Sequence, residues 1–105
     1  MPRVFQTVEL PRTSLRYYNL YDFGKIVYIF DSIDSVQVWR DGFDQDILAR
    51  LRCMNFDPSL DFFAVSGIMI AANVTLATLV QEYGEVKTLM FDNVKRIYRV
   101  RRVGG

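Results

Sequence analysis

The chain has 105 residues, 50% of them hydrophobic and 14% aromatic, and a net charge of +1. That is the length of one domain with ample material for a packed core, which excludes disorder and leaves no global field to steer the chain to nucleic acid or membrane. With no histidine and a single cysteine, Cys53, the composition excludes Ser-His-Asp and Cys-His catalysis in cis, histidine-containing or four-cysteine zinc sites, and an internal disulfide.

A first strand is expected around Val4, Phe5, Val8 and Leu10, closed by Pro11. Ser14 can cap a short helix over 15–22, ended by Gly24. Tyr17, Tyr18, Leu20, Tyr21 and Phe23 crowd into this stretch, as core and rim packing or as a stacking platform. Lys25–Phe30 is a β-branched and aromatic run expected as a central strand. Residues 31–42 read as a loop with a short strand over 36–39, stopped by Asp41-Gly42.

Asp44 is the expected N-cap of the next helix, with Phe43 and Leu48 placed as a hydrophobic staple. Phe43, Ile47, Leu51 and Met54 make one apolar stripe, with Arg50 and Arg52 facing away. Cys53 on this helix reads as a buried, inert thiol; the nearby arginines are the argument for a reactive one. A turn at 55–59 leads to a strand over 60–65 that is apolar on both faces.

Ser66-Gly67 then turns the chain into a helix over 68–83, apolar on nearly every side and stopped by Gly84. Residues 62–80 are long enough to span a bilayer, but Ser66, Gly67, Asn73, Thr75 and Thr78 interrupt them, and a strand plus a core helix accounts for them without lipid. Asn73 is expected to be a satisfied buried amide, or to face a partner helix or polar pocket. A strand over 86–91, a turn at Asp92-Asn93 and an antiparallel return over 96–103 complete the chain.

This order implies right-handed crossovers and a sheet covered on both faces. The expected class is α/β: a small Rossmann-like sandwich with a mostly parallel sheet of four or five strands and a C-terminal antiparallel strand, forming one domain over 1–105. Met1-Pro2-Arg3 leads into a polar stretch with no signal-peptide core, so the expected location is cytoplasmic, in the host cell if the protein is viral.

Four features carry candidate chemistry. Asp31, Ser32, Ser66 and Gly67 would line the carboxyl ends of the parallel strands, where helix N–H groups can hold a phosphate or carboxylate. No glycine-rich dinucleotide fingerprint or Walker motif is present, and plain capping and turning explains the same residues. Asp31, Asp34, Asp41, Asp44 and Asp46 supply oxygen ligands without the spacing of a calcium loop, and loop and cap roles explain them. Neither a metal nor a cofactor is expected.

Lys95, Arg96, Arg99, Arg101 and Arg102, interleaved with Ile97, Tyr98, Val100 and Val103, suit a phosphate backbone. The plainer account is a sheet edge protected by charge. Trp39 and Arg40 are interface residue types in an exposed loop, though Trp39 packing on the sheet edge fits equally well.

The run Phe56-Asp57-Pro58, Asp61-Phe62-Phe63, Ser66-Gly67, the apolar helix, Tyr83-Gly84-Glu85-Val86-Lys87, Leu89 and Asp92 resembles small phage-encoded α/β proteins of uncharacterised function, and the 17–30 segment is similar to theirs. The resemblance implies a compact α/β fold and a viral accessory role; it supplies no catalytic residue. The expected function is non-enzymatic binding of a macromolecule, a host or viral protein or a nucleic acid, by a homodimer. Arg96, Tyr98, Arg99, Arg101 and Arg102 would make the contact, with Trp39 and Arg40 second. Dimerisation is expected because Tyr17, Tyr18, Tyr21, Trp39 and Tyr98 are many aromatics for one small core. The alternative is a small-ligand or nucleotide binder at Ser66-Gly67.

Overall fold

The computed structural model describes residues 1–9 and 19–105; Leu10, Pro11, the Ser14 cap, Tyr17 and Tyr18 lie outside them. The elements are β1 (Arg3–Val8), β2 (Lys25–Phe30), α1 (Phe43–Cys53), β3 (Phe62–Ala64), α2 (Met69–Tyr83), β4 (Val86–Asp92) and β5 (Ile97–Val103). Short 3-10 turns occupy Leu20–Asp22 and Gln37–Trp39. They build a mixed α/β fold around one five-stranded sheet, ordered β2-β1-β3-β4-β5. The first four strands pair in parallel and β5 returns antiparallel to β4.

The strand order decides which face each connection covers. The chain steps one way from β1 to β2, then the other way from β2 over β1 to β3 and on to β4. Right-handed crossovers therefore send α1 and α2 to one face, and Leu20, just before β2, packs on the other. The core divides accordingly. Phe5, Ile29, Phe63 and Val86 meet Phe43, Ile47, Leu51, Ala71 and Leu79 of the helices. Val4, Ala64, Leu89 and Tyr98 meet Leu20 on the opposite face, joined by Phe23, Phe62 and Phe91. β1 is an interior strand, between β2 and β3, and Val4 to Val8 are all buried.

The apolar stripe of α1 buries Phe43, Ile47 and Leu51 as its periodicity requires. The expected cap does not form: Gly42 holds the N-cap position, and Asp44 and Asp46 lie in the first turn, where their charge favours the helix dipole. Cys53 is exposed at the end of this helix rather than buried. Residues 36–39 are not a strand. Asp34 Oδ1 accepts from the Val36 and Gln37 N–H groups at 2.9 and 2.7 Å and winds the segment into a turn.

α2 stops at Gly84, whose φ of 86° only glycine adopts without strain. Its buried polar residues are Thr75 and Thr78, each donating to the carbonyl four residues back at 2.7 Å; Asn73 is exposed. The helix thus absorbs polar side chains by satisfying them on its own backbone. Among the described residues, no helix is long and apolar enough to cross a membrane.

Two side chains tie distant parts of the sheet. Asp61, 1% exposed, accepts from the Arg3 N–H at 3.0 Å, from Arg3 Nη2 at 3.1 Å and from the Asp57 N–H at 2.8 Å. Arg3 also donates to the carbonyls of Met54 and Asn55 at the end of α1. At the outer edge of β5, Asn19 acts as a one-residue strand. Its Nδ2 donates to the Tyr98 carbonyl at 3.0 Å, and its Oδ1 accepts from the Tyr98 N–H at 2.8 Å.

Candidate functional site

The β4–β5 hairpin carries the basic run. Asp92 Oδ1 accepts from the Val94 and Lys95 N–H groups at 2.9 and 3.2 Å, and the Arg96 N–H donates to the Asp92 carbonyl at 2.7 Å. Arg96 therefore sits in the turn, at φ 59°, and not in the strand. Val94 projects from the tip, 91% exposed. The register sets Arg99 opposite Met90, Arg101 opposite Thr88 and Arg102 opposite Lys87. Arg99, Val100, Arg101 and Arg102 line an open groove of about 630 Å³ with Met90, Phe91 and Asp92.

The hairpin's charges are only partly neutralised. Arg99 pairs with Asp92 at 2.9 Å, and its hydrogen bond is the largest influence holding the Asp92 carboxyl below the usual range. Arg102 pairs with Glu85 at 3.0 Å. Among the described residues Lys95, Arg96 and Arg101 form no ion pair. Residues 85–105 set Lys87, Lys95, Arg96, Arg99, Arg101 and Arg102 against Glu85 and Asp92 alone, so a nearly neutral chain has one basic edge.

Tyr98 does not belong to this surface. It is 2% exposed, lies edge-on to Phe91 at 5.2 Å and is held by Asn19. It is a core residue that the alternation of the strand placed among arginines.

The other candidates fall at the carboxyl ends of the parallel strands. The order in which strands are added reverses between β1 and β3, which makes their carboxyl ends the switch point of the sheet, where open α/β sheets bind ligands. Gln6 of β1 donates through Nε2 to Ser66 Oγ at 2.7 Å, and beside it Thr7 Oγ1 donates to Thr75 Oγ1 at 3.3 Å. Gln6 is 1% exposed, and its Oε1 has no hydrogen-bond partner among the described residues. Ser66 is half-buried and Gly67 exposed, with φ 95°. The first turn of α2 carries no acid and no side-chain cap. Asp31 and Ser32 are exposed after β2 and, among the described residues, make no hydrogen bond to Ser66 or Gly67.

Trp39 and Arg40 are exposed, Trp39 by 74%. Trp39 edges an apolar hollow of about 280 Å³ with Ile33, Val38, Ile68 and Ile70, between the 31–42 loop and the start of α2. Met69, 76% exposed, and Val36, 60% exposed, belong to the same end of the molecule. Among the described residues no three acidic or cysteine side chains converge as metal ligands.

Sequence reasoning missed Gln6 and Asn19. Gln6 had a visible signal: it is the one amide in a strand otherwise apolar or hydroxylic between Val4 and Val8. Asn19 had none, because its role depends on where the edge of β5 lies. No family model, curated protein or solved structure matches this chain.

Proposed function

We propose that this chain is a non-enzymatic binding protein that grips a nucleic-acid backbone along the β4–β5 hairpin. The observation that carries the reading is the set of cations, Lys95, Arg96 and Arg101, that form no ion pair among the described residues, on an exposed hairpin at the sheet edge, beside an open groove. A shallow, cationic groove follows an extended polyanion better than it encloses a small molecule. The reversing strand order supports a Rossmann-like description of the sandwich, and the resemblance to small phage proteins supports an accessory role against a host or viral target.

Fluorescence anisotropy with a labelled single-stranded oligonucleotide tests this. Affinity should fall steeply with salt, and replacing Arg96 and Arg101 by Ala should make the log–log slope shallower by roughly 1–1.5. Salt-insensitive binding, or none at low salt, would reject the proposal.

A small-ligand site at the switch point is the second reading, favoured by the buried Gln6 Oε1, which has no hydrogen-bond partner among the described residues and lies next to Ser66. A ligand that donates to this oxygen while its anionic group meets the start of α2 would bind only the folded chain and raise its melting temperature. A panel of nucleotides and inorganic phosphate should give a rise that Gln6→Leu abolishes. A flat panel at millimolar ligand removes this reading.

A further inference from the structure

We infer that the chain associates with itself head to tail, the hairpin tip of one copy seated in the apolar hollow beside Trp39 of the next. Two surfaces of opposite character support this. Residues 31–46 hold Asp31, Asp34, Asp41, Asp44 and Asp46 against Arg40 alone. Among the described residues none of these aspartates forms an ion pair. The hairpin holds the unpaired Lys95, Arg96 and Arg101. Unmatched charges of opposite sign on two exposed surfaces of one molecule are complementary between copies, and they steer encounter.

Shape and apolar character agree with charge. Val94, 91% exposed, is a single aliphatic knob at the hairpin tip, followed by Lys95 and Arg96. The hollow of about 280 Å³ offers Ile33, Val38, Trp39, Ile68 and Ile70, with Asp34 on its wall. An exposed Trp beside a hollow is the kind of anchor that dominates interface energies.

The two surfaces do not overlap. The acidic loop follows β2 at one edge of the sheet, and β5 forms the other edge. Each copy can therefore give and receive at once, in a ring or an open chain. A symmetric β5-to-β5 contact is disfavoured: it would set arginine against arginine, and Asn19 already occupies the outward N–H and C=O of Tyr98.

Self-association would compete with nucleic acid for the same hairpin cations, and it is tested with protein alone. Sedimentation velocity at about 50 mM salt should show the weight-average mass at least doubling between micromolar and millimolar chain, and returning to monomer at high salt. Val94→Glu and Trp39→Lys each alter an exposed side chain, and each should stay monomeric. Mixed in equal amounts they should form a one-to-one dimer, because the first keeps its hollow and the second keeps its hairpin tip. Ile68→Lys, at a partly exposed residue that lines the same hollow, serves in place of Trp39→Lys should circular dichroism show the latter unfolded. A wild type that remains monomeric throughout, a single variant that still assembles, or a mixture that does not associate would each overturn the inference.

Discussion

Asp61→Ala is expected to lower the unfolding free energy by about 3 kcal/mol, the low end of the range for half-broken buried ion pairs. The carboxylate is 1% exposed and accepts three hydrogen bonds, two from backbone N–H groups. Its loss strands the Arg3 and Asp57 N–H donors and leaves the Arg3 guanidinium without its counter-charge. The low end applies because the Arg3 side chain keeps 31% exposure and can be hydrated. Asp61→Asn, which retains an accepting oxygen, should lose less. Urea denaturation measures both, and a loss below about 1 kcal/mol for the alanine variant, the usual ceiling for a surface pair, would show that the contact only decorates the sheet rim.

Asn19→Ala is expected to cost about 2 kcal/mol and to produce a second, qualitative effect. Two partly buried hydrogen bonds disappear together, and the Tyr98 N–H and carbonyl lose the amide that holds them at the sheet edge. β5 then presents a bare strand edge studded with Val100 and Ile97, which are 47% and 38% exposed. Amide exchange at Tyr98 should accelerate, and light scattering after mild heating should rise relative to wild type. A variant as stable and as soluble as the parent would mean that the amide does not guard this edge.

The parts of the fold legible in the sequence were those set by short-range pattern. Phe43, Ile47 and Leu51 repeat at the helical period, and Gly84 marks the end of α2 because no other residue tolerates its backbone angle. The antiparallel return of β5 followed from the turn chemistry of Asp92, whose carboxylate does bind the turn. Asp44 and residues 36–39 were misread for one reason: two aspartates compete to punctuate the same loop, and only the folded chain shows Asp34 closing its turn. Asn73 and Cys53 were misplaced because α1 and α2 cover only one face of the sheet, so each keeps a solvent side that composition does not reveal.

The candidate surfaces were legible as residues but not as neighbours. Arg96, Arg99, Arg101 and Arg102 stand on the exposed hairpin, while Tyr98, on the opposite face of the strand from Arg99 and Arg101, is turned into the core. Asp31 and Ser32 were grouped with Ser66 by a general rule about strand ends. The partner that Ser66 takes is Gln6, two residues from the end of β1.

Strand β1 lies inside the sheet and precedes both of its neighbours in sequence. Arg3–Val8 is made before either strand it pairs with, and one flank stays open until residues 62 and 63 arrive to pair with Val4 and Phe5. The adjacent β4–β5 hairpin needs no such delay. Contacts so far apart along the polymer slow the search for the native arrangement. In the interval a ribosome-bound fragment exposes an apolar ribbon with one unpaired side. The growing chain is most vulnerable to clumping in the window before β3 is made, and the danger passes once the middle of the polypeptide has been delivered.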